Sequence, residues 1–301
     1  MPTVPLIIPT YATETNGRLG YVGYSLDSLG RQDLKPSTRV VPIVVDDDSP
    51  VDLKSLITEY KRRYPLIRYS KRTKRTEELY TSSNAINHGI DLLLTSPLEI
   101  LTRQERDDLV AICYLHSDDL YTSDSVQSRL QVLGDSFVFA DRADFNGATG
   151  IIKNIVRCEE ISDLENMCTT RIFDFPHHTM MWRLTFLAKL REYSQRRYGH
   201  FGVYDPNLTQ YEDTSVILAS IELAKQLGLS MQQLRKVAVF YREHGQSITG
   251  LGTNVEKEEF RDAVIRKHNL SEKTDKPPII TKLRDVPKPL AMELEYLLGS
   301  Q

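Results

Sequence analysis

The chain has 301 residues, and 38 Lys and Arg against 41 Asp and Glu leave a formal net charge of −3. Hydrophobic residues make up 40% and charged residues 26%, close to the globular average, which excludes collagen-like, coiled-coil and wholly disordered chains. Near neutrality also excludes a surface that binds nucleic acid throughout, while allowing a local basic patch.

At this length one large α/β domain, with or without an appendage, is the expectation. Three cysteines, Cys113, Cys158 and Cys168, lack CxxC spacing. They form neither a disulfide framework nor a zinc motif and suit a reducing, cytoplasmic compartment. The apolar start, Met1 to Thr10, has no basic flank and reads as a strand, not a signal peptide. No run approaches the ~18 apolar residues of a membrane span.

The elements follow in order. Val4 to Ile8 is an unbroken apolar run and predicts a buried strand. Val22, Leu26 and Leu29 give Tyr21 to Leu29 a helical period. Val40 to Val45 predicts a second strand, ending in Asp46-Asp47-Asp48-Ser49. Leu53, Leu56, Ile57 and Tyr60 mark a helix over Leu53 to Tyr64. A short strand at Ile67 to Tyr69 and a helix over Tyr80 to Leu94 come next. A polar linker, Ser96 to Asp108, leads to a third apolar strand, Leu109 to Leu115, which ends in His116-Ser117-Asp118-Asp119.

Beyond it the spacing predicts a helix over Ser125 to Leu133, a strand over Phe137 to Ala140 and an irregular stretch from Asp141 to Phe175. Helices are predicted over Thr179 to Leu190 and Asp213 to Leu227, and a strand over Val237 to Tyr241. After Gly252 the composition shifts to a charged helix (Val255 to His268), a polar, proline-containing stretch (Ser271 to Pro289) and an amphipathic helix (Leu290 to Leu298). Strands alternating with helices over the first 140 residues imply a mostly parallel sheet covered on both faces.

Two predicted strands end in carboxylates, and parallel strands would bring Asp46–Asp48 and Asp118-Asp119 to one edge, where open α/β sheets bind ligands. Clustered carboxylates repel unless a cation sits among them, and hard divalent ions take oxygen ligands together with phosphate. The competing reading is that such residues form turns and helix caps. A basic segment, Lys61 to Arg75, holds eight Lys or Arg and no acid; it reads as a solvated face from which one or two side chains reach a diphosphate. Glu212-Asp213 precedes a helix, where Asp213 is either a cap or a general base. His244 is a structural residue or a metal ligand, and His177-His178 a loop pair or part of an acceptor pocket. No P-loop, GxGxxG, HExxH or GxSxG is present.

Six segments in order resemble a family 2 glycosyltransferase of the GT-A fold. They are Pro9-Thr10-Tyr11, Val44 to Ser49, Asn84 to Ile90, Tyr114 to Asp119, Phe201 to Asp213 and Tyr241 to Ser247, and the resemblance spans about residues 3 to 250. It implies a GT-A-like α/β domain over residues 1–250, its first 140 residues binding a nucleotide-sugar and residues 141–250 the acceptor. A C-terminal helical extension (residues 251–301) follows.

The resemblance further implies inverting sugar transfer to an acceptor hydroxyl, with Mn²⁺ or Mg²⁺ as cofactor and a UDP-sugar as the leading donor. Residue by residue, Tyr11 would lie against the base, Asp47 would bond it, and Pro9, Thr10, Arg75, Asn84 and Ser117 would complete the donor pocket. Asp118 would hold the metal with His244 and His116, and Asp213, beside Glu212, would be the general base. Acceptors of the family include glycans, lipid-linked molecules and proteins.

The pattern departs at His116, which replaces the first acid of the DxD motif, at Asp48, which replaces a Gly, and at Gly199-His200-Phe201, which lacks a second Gly. Two other readings stay open: a non-catalytic GT-A-like protein binding an anionic partner, and a nucleotidyltransferase. The final helix packs on the core, joins a homodimer or lies peripherally on a membrane. Its Glu293 and Glu295 suit an anionic membrane poorly.

Overall fold

The computed structural model describes residues 1–74, 82–158, 177–208, 211–244, 254–268, 280–283 and 286–299. Its frame is a sheet of ten strands among these residues. Strand β1 (Thr3–Thr10) lies centrally, parallel to β2 (Arg39–Asp46) and to β4 (Ala111–Tyr114), and β2 pairs in parallel with β3 (Arg68–Lys71). Every residue of β1 is buried, as expected of a parallel strand covered on both faces.

Side-chain alternation divides the core. Ile7, Ile43, Val45, Ile112 and Tyr114 face one layer of helices: α3 (Ser82–Thr95), α6 (Leu184–Tyr198) and α7 (Glu212–Gln226). Leu6, Ile8, Val44 and Cys113 face the other: α1 (Arg18–Gly30), α2 (Leu53–Arg63) and α5 (Ser125–Val132). The short α4 (Arg103–Asp107) carries a capping box between Thr102 and Glu105. At Gly89 a Cβ would meet the Ile7 side chain at 2.9 Å, so glycine sets how closely α3 approaches β1.

The parallel expectation, drawn from the first half of the chain, holds for β1 to β4. Beyond them the sheet is mixed. β8 (Met181–Arg183) runs antiparallel to β4 and to β6 (Phe137–Asn146), and β7 (Ile152–Cys158) is antiparallel to β6. β9 (Gln232–Glu243) is parallel to β6 and antiparallel to β5 (Leu120–Tyr121).

Three expectations change. The irregular stretch from Asp141 opens instead with the rest of β6 and then β7. The helix expected from Thr179 begins at Leu184, because Met181, Trp182 and Arg183 pair with Cys113, Ile112 and Ala111. The polar stretch after Ser271 contains β10 (Ile280–Leu283), antiparallel to β7. The expected helix start at Tyr80 lies outside the described residues, as does Arg75.

The C-terminal segment packs on the body. Helix α8 (Asn254–Lys267) buries Val264 against Leu208 and Leu218. Helix α9 (Lys288–Leu298) buries Leu294 and Leu297 against Leu120, Phe145, Ile155 and Phe240. The Arg31 guanidinium stacks 4.4 Å from the Tyr296 ring. No helix of the described residues is long and apolar enough to cross a membrane.

Candidate active site

The carboxyl ends of β1, β2 and β4 form one edge. The Asp47 amide donates to the Thr10 carbonyl (2.8 Å), and the Leu115 amide to that of Ile7 (2.9 Å). Both acidic clusters meet at this edge, but their charges are handled differently.

Asp46 accepts from the Ser49 amide (2.8 Å) and the Tyr69 hydroxyl (2.6 Å). Asp47 pairs with Arg72, and Asp48 lies 3.3 Å from Lys71. The cation expected among these three aspartates is therefore supplied by the chain: the basic segment neutralises the neighbouring strand end. Asp48 has φ of 62°, the left-handed conformation in which glycine is most at ease and Asp tolerated. It thus makes the turn for which the family pattern carries Gly.

The second cluster is poised otherwise. Asp118 Oδ2 lies 2.9 Å from His244 Nε2 and 3.2 Å from Arg18 Nη2. Burial alone would raise the Asp118 pKa, but Arg18, His244 and His116 outweigh it and hold the carboxyl well below the usual carboxylate range. Asp119 is the opposite case. Burial and the Asp118 charge push it well above that range, and its Oδ1 accepts from the Arg242 amide (2.9 Å).

Arg242 also donates to the Asp118 carbonyl (2.8 Å) and lies over the Tyr21 and Phe145 rings. It ties β9 to the acidic turn and so delivers His244 to Asp118. Arg18 additionally donates to Ser117 Oγ (3.2 Å). Nothing in the sequence pattern marks Arg18: a single arginine opening a helix has no periodic signal.

A third group comes from the far half of the chain. The 3-10 turn His177–Thr179 precedes β8. The Thr179 hydroxyl donates to the Ala140 carbonyl (2.9 Å) and accepts from the Ala140 amide (2.8 Å). The fully buried Arg129 donates to the Thr179 carbonyl (2.8 Å). This pinned turn sets His177 Nδ1 2.6 Å from Asp213 Oδ2. His116 packs edge-on against His178, ring centroids 4.9 Å apart.

Burial lowers the pKa of His116 to about 4 and that of His178 well below its usual value. Asp213 and Glu212 form the first turn of α7, behind Tyr211 at φ of 61°; this strain on a non-glycine residue falls beside the proposed base. Desolvation would raise Asp213, but His177 and the Thr214 amide (2.7 Å) outweigh it and lower its pKa. Desolvation and the Asp213 charge push Glu212 up to about 8.

The remaining expected residues are placed as follows. Pro9 and Thr10 are buried inside β1, and the Thr10 hydroxyl bonds the Ile8 carbonyl (3.3 Å); Tyr11, half-buried, is the segment's first residue with surface. Asn84 is half-buried in the first turn of α3, near Ser82, whose hydroxyl bonds Glu212 (3.3 Å). Asn87 of the same motif is structural: its Oδ1 accepts from the Val203 and Tyr204 amides, both at 2.9 Å. His116 was expected to join Asp118 and His244. Among the described residues it also converges with His177 and His178 in a group of three metal-type donors.

The curled mixed sheet with flanking helices is a GT-A-like fold, shared with solved glycosyltransferases. Solved structures carry the likeness. S. aureus TarS matches with TM-score 0.54 and 15% identity over 90% of this chain and 41% of its own, so this chain spans about two fifths of that protein. A mannosyltransferase from Pyrobaculum calidifontis, in complex with GDP-Man and Mn²⁺, matches with TM-score 0.54 and 15% identity over 99% of this chain and 70% of its own. GalNAc-T7 with UDP, GalNAc and Mn²⁺ matches with TM-score 0.51 and 12% identity over 99% of this chain and 54% of its own. No family model and no curated protein matches the sequence.

Proposed function

We infer that the chain is a glycosyltransferase that moves a sugar from a nucleotide-sugar donor to an acceptor hydroxyl, with inversion at the anomeric carbon. The observation that carries this reading is a pair of carboxylates near His116, both held ionised: Asp118, backed by His244 and Arg18, and Asp213, held by His177.

Asp213 is the general base. Its Oδ1 is held by the Thr214 amide and its Oδ2 by His177, so it is oriented and ionised at neutral pH and accepts the acceptor's proton as the oxygen attacks. Glu212, whose pKa is raised, keeps its proton and spares Asp213 a second adjacent negative charge; paired carboxylates with divergent pKa values are a usual sign of divided roles.

Asp118 and His244 offer one oxygen and one nitrogen donor within 2.9 Å of each other, a set that suits Mn²⁺ or Mg²⁺ completed by diphosphate oxygens. Asp118 and His244 would hold such a cation, which would supply positive charge to the leaving nucleoside diphosphate. Arg18, on the same carboxylate oxygen, adds a fixed positive charge there. Tyr11, Asp47, Asn84 and Ser117 would contact the donor. The TarS fragment solved with UDP and GalNAc-T7 with UDP and Mn²⁺ support a UDP-sugar as the first donor to try. The acceptor is a glycan, a lipid-linked molecule or a protein segment.

One observation favours a second reading, a GT-A-like protein that binds its anionic ligand without catalysis: Arg18 already neutralises Asp118. A thermal-shift screen of nucleoside diphosphates with and without Mn²⁺ and Mg²⁺, followed by an assay of UDP-sugar consumption, separates the two. Metal-dependent stabilisation by a diphosphate and donor turnover are expected. Stabilisation without turnover across donors and acceptors would favour the second reading.

A further inference from the structure

His116 stands at the end of β4, and His177 and His178 stand on the turn before β8, yet one ring nitrogen of each lies within 4.8 Å of the other two. His178 is 4% exposed. Its Nδ1 is buried with no hydrogen-bond partner, and so is Asp119 Oδ2, which lies 3.8 Å from His178 Nε2. A buried nitrogen and a buried oxygen without partners are both costly. Nothing in the donor edge described above accounts for either.

We propose that His116, His177 and His178 form a second cation site, apart from the Asp118–His244 pair, that takes a borderline divalent transition ion of the zinc class. Three imidazoles are the donor set of an open zinc site, which leaves a fourth position to water or a ligand. They suit Zn²⁺, Co²⁺ or Ni²⁺ better than Mg²⁺ or Ca²⁺, which prefer oxygen.

The outer contacts match that use. Metal-binding histidines pass their other ring N–H to a carboxylate, which fixes the ring and its tautomer. His177 does this with Asp213 through Nδ1, so the nitrogen it offers a cation is Nε2. His178 faces Asp119 with Nε2, so it offers the unpartnered Nδ1. Ligation there gives the unpartnered Nδ1 a partner and makes Nε2 the N–H that faces Asp119 Oδ2, at 3.8 Å an ion-pair and not a hydrogen-bond distance. The support is rigid, because Arg129 and the Ala140 backbone lock Thr179 next to the two rings. The inference does not depend on sugar transfer. It does have a consequence for it, because an ion on His177 acts on Asp213 through their shared hydrogen bond.

The test uses the full chain, stripped with chelator and titrated with Co²⁺ and then Zn²⁺. The expected result is one equivalent of Co²⁺ with the intense visible bands of a low-coordinate nitrogen site, displaced by Zn²⁺, with a rise in melting temperature. His177→Gln should weaken Co²⁺ binding at least tenfold, and His178→Ala should abolish the bands. His244→Ala and Asp118→Asn should leave them in place. His177→Gln keeps the buried His178, so a well-folded variant is at hand if His178→Ala fails to fold. No Co²⁺ or Zn²⁺ uptake by the wild type overturns the proposal. So do bands that survive His177→Gln at full affinity or that vanish in His244→Ala, which would put the ion on Asp118.

Discussion

His177 Nδ1 lies 2.6 Å from Asp213 Oδ2, joining the turn before β8 to the N-terminus of α7 through one charge-assisted hydrogen bond. The two residues are 36 positions apart, counting from 177 to 213, and residues 159–176 lie outside the described structure, yet the contact fixes the orientation of the proposed base. Asp213→Asn should lower turnover ~10²-fold or more, the usual contribution of a positioned general base, while nucleoside diphosphate affinity stays near wild type. His177→Gln should lower kcat with little change in donor KM, because it disturbs the base and not the donor edge. Steady-state kinetics beside calorimetry of diphosphate binding check both. Wild-type turnover in Asp213→Asn would remove it from the mechanism.

The Asp118 site has its own pair of tests. Asp118→Ala should remove the metal-dependent part of diphosphate affinity, since it deletes the oxygen shared by His244 and Arg18. Arg18→Ala should weaken diphosphate binding in the absence of Mn²⁺ more than in its presence, because the ion can replace part of the lost positive charge. Calorimetry with and without Mn²⁺ reads both effects. Equal losses under the two conditions in both variants would show that no cation contributes at Asp118.

What was legible in the sequence follows from where charge is buried. The strands β1, β2 and β4 read as apolar runs because both faces are covered. The second half of β6 did not, because its Asp141, Arg142 and Asp144 are buried as ion pairs: Arg142 to Asp144 at 2.7 Å and Arg157 to Asp141 at 2.8 Å. Such pairing satisfies the charges but erases the hydrophobic pattern on which a strand reading rests. The acidic strand ends were visible, and the family resemblance named His244 as a metal ligand with Asp118, from which it lies 2.9 Å. The neutralisation of Asp47 by Arg72 and of Asp48 by Lys71, at the end of β3 and just beyond it, was not visible, since adjacency across a sheet has no local signature. Arg18, Arg129 and the histidine trio were hidden for the same reason: each acts across 50 or more residues of chain.

Stability should fall on mild acidification. Burial holds His268 down to about 3 and His116 to about 4, whereas an unfolded imidazole titrates near ~6.5. Between those values the unfolded chain binds protons that the folded chain does not, so stability is fully present above pH ~6.5 and is lost as pH falls towards the folded values. His268 bonds Tyr198 (3.0 Å) and Ser215 (3.1 Å) and fastens α8 to the body. His268→Gln should therefore lower the melting temperature at pH 7 and flatten its fall between pH 6.5 and 4.5. Glu212 works the other way. Its raised pKa of about 8 makes the folded form the better proton binder, so its contribution declines as pH rises from ~4.5 to 8. Glu212→Gln should raise the melting temperature at pH 9 more than at pH 5. Melting curves across this range decide both signs.

Arg129 offers the sharpest test of how the histidine turn is held. Its guanidinium is fully buried, donates to the Thr179 carbonyl (2.8 Å), the Ser125 carbonyl (3.0 Å) and the Ser125 hydroxyl (2.9 Å), and stacks 4.5 Å from the Tyr121 ring. Arg129→Met fills much of the volume but leaves the Thr179 carbonyl without its donor, a loss of about 1–3 kcal/mol. For a chain of this size that lowers the melting temperature by about 2–4 °C per kcal/mol. Arg129→Lys keeps the charge but not the planar fork, so it should recover only part of the loss. Because Thr179 follows directly on His177-His178, both variants should also lower kcat at temperatures where they remain folded. A melting temperature and kcat at wild-type values in Arg129→Met would show that Thr179 and the Ala140 backbone hold the turn without it.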